Sequence, residues 1–470
     1  MLSFIKKLYS NFRELATCVQ ITVILSFILG TVLRLATMQG LGYYFDMVET
    51  QYTWATNAVD MGFFSFWKNY NGPYDYMPGS LLLLMGVELV GRVFGGGEYS
   101  FVYTLKSFNW LAETVLVFAL IYFAGRQNIN RNRIYIFASI VYVLPSLWFV
   151  SNIWGQMDSF IVLLMLISVM LMFWNKNNHG GRLFFWSGLI IGISFIIKLQ
   201  TFLLFPVLLA FHLSLRNKQL FTSQLYGFLL PVVTTLTLCT AINWYRTGVV
   251  VFAPVWRENT ITNGAASLWP LLGMNGKGSD YFFNNVHFPL SVSLAGLFLY
   301  MLLMVVFYLK IRHISFRTLF TASTNIKRLF FTIFPSNMTL QQFTFLMIMN
   351  SGLYYMLFTK MHSRYLHIAI IFSLFSLFII KKVRFMYELM IPVLVIQFSY
   401  FINQMDVFKG GSNDPAWPGS FILNANFDTL AFASLINLLC LLWLYRLYIF
   451  IENKVDGDNL IHTSSVSGSA

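Results

Sequence analysis

The sequence predicts an all-α polytopic membrane protein with about twelve transmembrane helices, in the range of roughly 11–13. Of its 470 residues, 57% are hydrophobic and 10% are charged, whereas soluble domains carry about 25% charged residues. The mean hydropathy is +0.66. Apolar stretches close to the roughly 20 residues that cross the hydrocarbon recur along the chain. A soluble fold of this length could not bury so much apolar surface, so lipid must surround most of it.

The expected spans follow one another along most of the chain. They lie near residues 18–37, 105–124, 134–151, 159–175, 184–199, 201–214, 222–244, 289–309, 341–359, 364–380, 385–402 and 427–450. The first is expected to be a retained span rather than a removed signal peptide, because no small-residue cleavage site stands out. The fifth and sixth are short and interrupted by Lys198 and Gln200.

Basic residues predict which side each loop faces. The net charge is +13, and most Lys and Arg fall in cytoplasmic segments if residues 79–94 lie along the outer interface instead of crossing. Both termini are then cytoplasmic. The basic inner loop 310–337 is expected to lie on the anionic cytoplasmic leaflet. Basic residues scattered between apolar runs argue against nucleic acid as a partner, and three distant cysteines form no disulfide framework or zinc spacing.

Acidic residues in outer-face segments are candidates for acid–base chemistry. Asp46 lies a few residues beyond the first span, where a carboxylate can stay ionised and take a proton from a sugar hydroxyl. Glu49 and Asp75 are rivals for this role, and Asp46 could instead be a plain interface carboxylate. Asp158 enters a span at its outer end, where charged residues usually face a cavity. Its alternative role is a helix N-cap.

Basic side chains at the same level could bind a phosphate. Lys198, followed by Gln200, lies in a nearly continuous apolar stretch and would be costly to bury without an anion, although snorkelling to the interface explains it as well. His362 and Arg364 lie at an outer turn, where Arg offers a bidentate fork. They could equally be interface anchors. The spacing of His362 and His367 does not place both on one helical face, so no metal site is predicted there.

Five short motifs occur in a distinctive order. They are Tyr44-Phe45-Asp46-Met47-Val48-Glu49-Thr50-Gln51, Asp75-Tyr76-Met77-Pro78, Trp154-Gly155-Gln156-Met157-Asp158-Ser159, Lys198-Leu199-Gln200 and Met361-His362-Ser363-Arg364-Tyr365. In this order they resemble the GT-C superfamily of membrane glycosyltransferases over roughly residues 18–380. The chain is similar to bacterial mannosyltransferase-like members and to eukaryotic dolichyl-phosphate-glucose-dependent glucosyltransferases.

The resemblance implies a GT-C fold whose long first outer loop, 38–104, carries interfacial helices. It divides the chain into a transmembrane module at 1–245, an outer loop at 246–288, a variable C-terminal transmembrane region at 289–450 and a cytoplasmic tail at 451–470. The implied donor is a polyprenyl-phosphate monosaccharide of mannose or glucose type. The acceptor would be a lipid-linked or cell-surface glycan, reached from the outer face of the cell membrane.

The resemblance also assigns roles to matching positions. Asp46 would be the catalytic base and Asp158 the second acid of the site, while His362, Arg364 and Lys198 would contact the donor phosphate. The other motif residues expected to bind substrate are Glu49, Asp75, Tyr76, Trp154, Gln156 and Gln200. No cofactor is required, although Asp46 and Asp158 could together hold a divalent cation.

Two motifs depart from the family pattern, and other functions stay open. The family's Y-P-P-L reads Tyr76-Met77-Pro78-Gly79, and its H-E-R-Y reads His362-Ser363-Arg364-Tyr365, which lacks the carboxylate. The rival from another class is a polyprenyl-linked sugar flippase or polysaccharide exporter. Such a transporter should line its spans with charged residues through the full membrane depth, whereas the ionisable residues here gather at the outer end. A catalytically inactive assembly partner is a third alternative.

Overall fold

The computed structural model is helical along almost all of its described length. It describes residues 10–38, 40–42, 44–72, 74, 76–127, 129–174, 181–256, 262–263, 265–272, 292–323, 325–358, 361–381, 383–411 and 429–466. A short parallel pairing joins Thr262–Asn263 (β1) to Met361–His362 (β2).

Among the described residues, the following helices lie before the predicted outer loop at 246–288. They are α1 (Thr17–Thr37), α2 (Thr53–Met61), α3 (Phe63–Asn69), α4 (Pro78–Val93), α5 (Gly97–Arg126), α6 (Arg131–Val143), α7 (Pro145–Trp148), α8 (Asp158–Trp174), α9 (Gly181–Ile197), α10 (Phe205–Leu215) and α11 (Lys218–Ile242). Wider π-type helical segments run from Phe45–Tyr52 and Phe149–Trp154, and a 3-10 segment from Leu199–Leu204.

The remaining helices follow in chain order. They are α12 (Trp244–Trp256), α13 (Leu268–Leu271), α14 (Val292–Ile311), α15 (Phe316–Ala322), α16 (Ile326–Ile333), α17 (Leu340–Leu357), α18 (His367–Ile379), α19 (Val383–Gly411) and α20 (Thr429–Val466). A further 3-10 turn, Ser363–Leu366, leads into α18.

Six helices of the described part of the chain are long and apolar enough to cross a membrane. They are Thr17–Thr37, Gly97–Arg126, Lys218–Ile242, Leu294–Ile311, Phe385–Gln404 and Leu430–Ile449. A pair bent by 45°, Arg131–Val143 with Pro145–Trp154, adds a seventh if it forms one span, and four shorter apolar helices accompany them. The predicted all-α, multi-pass membrane class is therefore confirmed. The count of about twelve spans and the GT-C fold stay predictions.

Helix α1 illustrates why the surroundings of these helices are apolar. Its residues Leu25 and Ile28 are more than half exposed. Together with their apolar neighbours they form a continuous apolar surface, whose exposure to water would be unfavourable. Arg34 on the same helix is fully buried and points into the protein instead. The helix thus presents one face to lipid and one to the bundle.

The predicted interruption near Lys198 is a break between two helices. Helix α9 ends at Ile197, and Lys198 has an extended backbone with φ −149° and ψ 124°. The chain then passes through the 3-10 segment into α10, whose second residue, Pro206, suits a helix start. The break lets the Lys198 side chain leave the helix axis and reach a neighbouring element.

The apolar segment predicted along the outer interface forms helix α4. Its Ser80 hydroxyl donates to the carbonyl oxygen of Ile197, so α4 begins against the end of α9. Glu88, buried on the inner face of α4, accepts from Arg92 Nε at 2.8 Å. This i,i+4 pair explains how an apolar helix can hold a buried carboxylate.

Candidate functional site

The side chain of Asp46 is the centre of a hydrogen-bonded cluster. Its Oδ2 accepts from Trp154 Nε1 at 3.0 Å, from Gln156 Nε2 at 2.9 Å and from Arg364 Nη1 at 3.0 Å. Three donors on one oxygen match an ionised carboxylate, which only accepts hydrogen bonds. The other oxygen, Oδ1, accepts no hydrogen bond from the described residues, and the side chain is 20% exposed. One oxygen is therefore held in place while the other is open to a reactant.

Unusual backbone geometry creates this convergence. Asp46 lies in the π-type segment Phe45–Tyr52, and Trp154 ends the second such segment; π-type turns are rare and are frequent at functional sites. Gly155 follows with φ 83°, and a Cβ there would lie 2.3 Å from Met47 Sδ. Only glycine fits this left-handed turn. The turn lets Trp154 and Gln156, on either side of it, donate to the same oxygen.

Arg364 also belongs to this cluster, although it lies 318 positions after Asp46 in the sequence. It lies in the 3-10 turn before α18, its side chain is 8% exposed, and its guanidinium carbon is 5.7 Å from the Trp154 ring centre. That distance is within cation–π range. Its Nε is buried and has no hydrogen-bond partner among the described residues. A buried guanidinium with an unused donor is suited to an anionic ligand.

Asp158 and Lys198 form an ion pair next to this cluster. Lys198 Nζ donates to Asp158 Oδ1 at 2.8 Å, and the two side chains are 13% and 3% exposed. Asp158 is the first residue of α8, so the helix N-terminus also favours its charge. Its Oδ2 is buried and has no partner in the described structure, and the same holds for Nε2 of the nearby Gln200. Buried polar atoms left unpaired are costly unless water or a ligand satisfies them.

The two pairs act electrostatically as one group. The Arg364 guanidinium interacts with both Asp46 and Asp158, and Lys198 interacts with Asp46 as well as Asp158. Two carboxylates and two cations balance in formal charge. Hence four of the predicted site residues, separated by up to 318 positions in sequence, lie in one site.

Tyr76 borders the same cluster from the first outer loop. Its ring centre is 5.1 Å from that of Trp54. Burial, opposed by the nearby Arg364 guanidinium, raises the pKa of the Tyr76 hydroxyl above its usual value, and Asp46 and Asp158 add to the rise. The phenol therefore stays protonated at neutral pH and can donate a hydrogen bond.

Three further predicted residues contribute no described contact to this cluster. Glu49 lies on the same π-type segment as Asp46, but its side chain is exposed. The backbone of His362 pairs with Asn263, and its side chain is outside the described part of the structure. Asp75 lies outside the described residues altogether. Glu49, one of the rivals to Asp46 as a base, forms no ion pair with Arg364 or Lys198 in the described structure.

The sequence analysis missed a buried ion pair that supports the site. Glu113 Oε2 accepts from Arg34 Nε at 3.1 Å and from Nη2 at 2.8 Å, and both side chains are at most 1% exposed. Glu113 Oε1 accepts from Ser151 Oγ at 2.5 Å and from Ser159 Oγ at 3.2 Å. Those serines flank the segment that bears Trp154 and Asp158. The sequence could have indicated this pair, because Arg34 and Glu113 each lie inside an expected span and charged residues are costly in lipid.

His367 is a further residue that sequence reasoning did not assign to the site. It is buried, its Nε2 lies 3.2 Å from Ser159 Oγ, and its Nδ1 lies 3.4 Å from Tyr400 Oη. It interacts electrostatically with Asp158 and Glu113. The sequence could have indicated His367, because it follows Arg364 by three positions and residues three apart in a helical segment lie on the same face.

The described residues contain no group of three or more His, Cys, Asp and Glu side chains that could hold a metal ion. Each carboxylate of the cluster instead contacts a cationic side chain, Asp46 with Arg364 and Asp158 with Lys198. Comparison of the chain with protein-family models and with curated proteins gives no match.

Proposed function

We propose that this protein is an inverting glycosyltransferase that moves a hexose from a polyprenyl-phosphate sugar to a lipid-linked or cell-surface glycan. The observation that carries the proposal is the position of Arg364 between two carboxylates. It contacts Asp46 directly and interacts electrostatically with Asp158. A candidate base and candidate phosphate-binding cations thus lie within one charge cluster, which transfer from a phosphate ester requires.

In the proposed reaction the acceptor hydroxyl oxygen attacks the anomeric carbon of the donor. A new carbon–oxygen bond forms as the bond from that carbon to the phosphate oxygen breaks, and the configuration inverts. The hydroxyl proton passes to Asp46, whose Oδ1 carries no hydrogen bond from the described residues. The leaving group is the polyprenyl phosphate. A positioned base of this kind contributes about 10²–10⁴-fold.

Arg364 and Lys198 are the proposed partners of the departing phosphate. Arg364 Nε has no hydrogen-bond partner in the described structure. Lys198 donates one hydrogen bond, to Asp158, and its ammonium has three donors. Both are less than one-sixth exposed, and fixed cations in a water-poor site stabilise developing negative charge strongly. His362, which ends β2 two positions before Arg364, is proposed to assist them.

The proposed location is the outer face of the cell membrane, with both termini cytoplasmic. There the lipid tail of the donor would lie between helices, and its sugar phosphate would reach Asp46 and Arg364. Tyr76 and Gln200 would contact the sugar or the phosphate, since the first keeps its proton and the second has a buried unpaired amide nitrogen.

A flippase or exporter is less well supported by the buried charges. The Arg34–Glu113 pair lies inside two helices that are long enough to span the membrane, as a transporter would require. However, both side chains are fully enclosed, and Glu113 accepts hydrogen bonds on both oxygens. An ion pair that is closed off from solvent, and whose hydrogen bonds are made within the protein, does not line an open path for a charged substrate.

A transfer assay with purified protein tests the proposal. Radiolabelled polyprenyl-phosphate mannose and glucose are each offered with lipid-linked glycan acceptors in detergent. Wild-type protein should transfer the sugar, and Asp46→Asn should lower the rate by about 10²–10⁴-fold, because the amide keeps the shape but cannot take the proton.

Glu49→Gln is the matched control, because Glu49 is an exposed carboxylate on the same helical segment. It should keep the wild-type rate. Full activity of Asp46→Asn together with loss of activity in Glu49→Gln would move the base to Glu49. Loss in neither variant would direct attention to Asp75.

A further inference from the structure

A second surface lies outside the candidate site, in the segment between α14 and α17. Residues 312–339 contain no Asp or Glu, and the basic residues of this segment are Arg312, Arg317, Lys327 and Arg328. Helix α16 lies in its middle. A basic segment without acids is attracted to anionic surfaces and has no internal charge to oppose that attraction.

Helix α16 presents an apolar stripe that the protein does not cover. Ile326, Leu329, Phe330 and Ile333 follow the i, i+3, i+4, i+7 pattern of one helical face. Ile326 is 83% exposed, Phe330 is 39% exposed, and no residue of the helix is buried. The stripe therefore needs an apolar neighbour other than the described parts of this chain.

The other face of α16 is fixed against the protein. The guanidinium of Arg216 lies 4.2 Å from the centre of the Phe331 ring, and its Nη2 donates to the Phe334 carbonyl oxygen at 3.0 Å. Tyr308 Oη donates to the Ile333 carbonyl oxygen, also at 3.0 Å. Phe331 lies on the side of the helix opposite the apolar stripe. These contacts orient α16 so that the stripe points away from the bundle.

We propose that α16 lies in the membrane plane and binds an anionic phospholipid surface. Helix α14 contains a candidate span that ends at Ile311. Tyr308, in the last turn of that span, donates to the Ile333 carbonyl oxygen of α16, so α16 lies close to the bilayer surface. The apolar stripe would insert at the boundary of headgroups and acyl chains. Lys327 and Arg328, capped by the Asn325 side chain at the helix start, would meet the anionic headgroups.

The test measures lipid contact of α16 in the full chain. The three native cysteines are replaced, a single cysteine is introduced by Ile326→Cys, and a polarity-sensitive fluorophore is attached. The protein is placed in nanodiscs of phosphatidylcholine alone or with phosphatidylglycerol. A blue-shifted emission shielded from a water-soluble quencher is expected with phosphatidylglycerol. Thr332→Cys, about 120° around the helix from Ile326 and outside the apolar stripe, provides the control label and should change little.

Charge removal distinguishes anionic lipid from a general apolar surface. In the double variant Lys327→Ser and Arg328→Ser, the ratio of lipid-bound to free α16 should fall roughly 30-fold, because each basic residue near an anionic surface favours binding about fivefold. Equal quenching of the Ile326 label in both lipid compositions would overturn the proposal. Shielding that persists in phosphatidylcholine and in the double variant would overturn the role of anionic headgroups.

Discussion

Arg364 donates from Nη1 to the candidate base Asp46, while its Nε has no hydrogen-bond partner among the described residues. Under the proposed function, that free donor would bind the donor phosphate. Arg364→Ala should raise the KM for the polyprenyl-phosphate donor by about 10- to 100-fold, since a hydrogen bond to a charged group contributes roughly 1.5–3 kcal/mol. Donor titration at saturating acceptor measures this. Arg364→Lys keeps the charge without the planar fork and should be intermediate. An unchanged donor KM in Arg364→Ala would reject the phosphate-binding role.

Burial decides which ion pairs matter for stability. Glu113→Ala leaves the Arg34 charge enclosed without a partner and should destabilise the protein by about 3–5 kcal/mol. Asp60→Asn removes one of the two carboxylate partners of Arg92, in a pair whose side chains are 57% and 38% exposed, and it should cost less than about 1 kcal/mol. Thermal unfolding in detergent compares the two variants. Equal shifts in Tm would mean that the buried pair has no special role.

At the scale of elements, close packing of α9 on α11 sets the position of Lys198, which follows directly after α9. A Cβ on Gly188 would lie 1.9 Å from the Gln224 carbonyl oxygen. Glycines allow such close helix approach in membranes. Gly188→Ala should therefore separate the two helices and destabilise the protein by about 1–3 kcal/mol.

Gly86→Ala is the matched control for this substitution. Gly86 lies within α4, and a Cβ there would meet no atom within 4 Å. Alanine should stabilise this helix by about 0.5–1 kcal/mol, because glycine loses more backbone entropy on folding. The two glycine variants are thus expected to shift Tm in opposite directions. A shift of the same sign for both would contradict the packing argument.

The orientation of the whole molecule is tested by cysteine labelling in a background that lacks the native cysteines. Asn69 and Thr321 are both exposed, one in the predicted outer loop and one in the predicted inner loop. Asn69→Cys should react with an impermeant maleimide on intact cells. Thr321→Cys should react only after permeabilisation, because basic loops stay inside. Reaction of both on intact cells would contradict the assigned membrane placement and with it the outer-face site.

The membrane class could be predicted from the sequence because hydropathy is a local, additive property. Each apolar run such as 18–37 or 222–244 requires lipid whatever its neighbours are, and the helices Thr17–Thr37 and Lys218–Ile242 agree with those runs. The break at Lys198 was also visible, since a cation in an apolar run is costly wherever the run packs. Asp158 and Lys198 were selected by the same cost argument, whereas Asp46 and Arg364 were selected by their place in outer-face segments and by the resemblance.

The hydrogen-bond and ion-pair partners of these acids and cations, in contrast, depended on tertiary structure. Asp46 and Arg364 are 318 positions apart, and no local pattern states that the turn at Gly155 aims Trp154 and Gln156 at the same carboxylate oxygen. The Glu113 network and the contact of His367 with Ser159 likewise arise where several helices cross. Hydropathy reports the cost of burying one residue, whereas a hydrogen bond depends on the relative position of two. Only the packed chain sets that position.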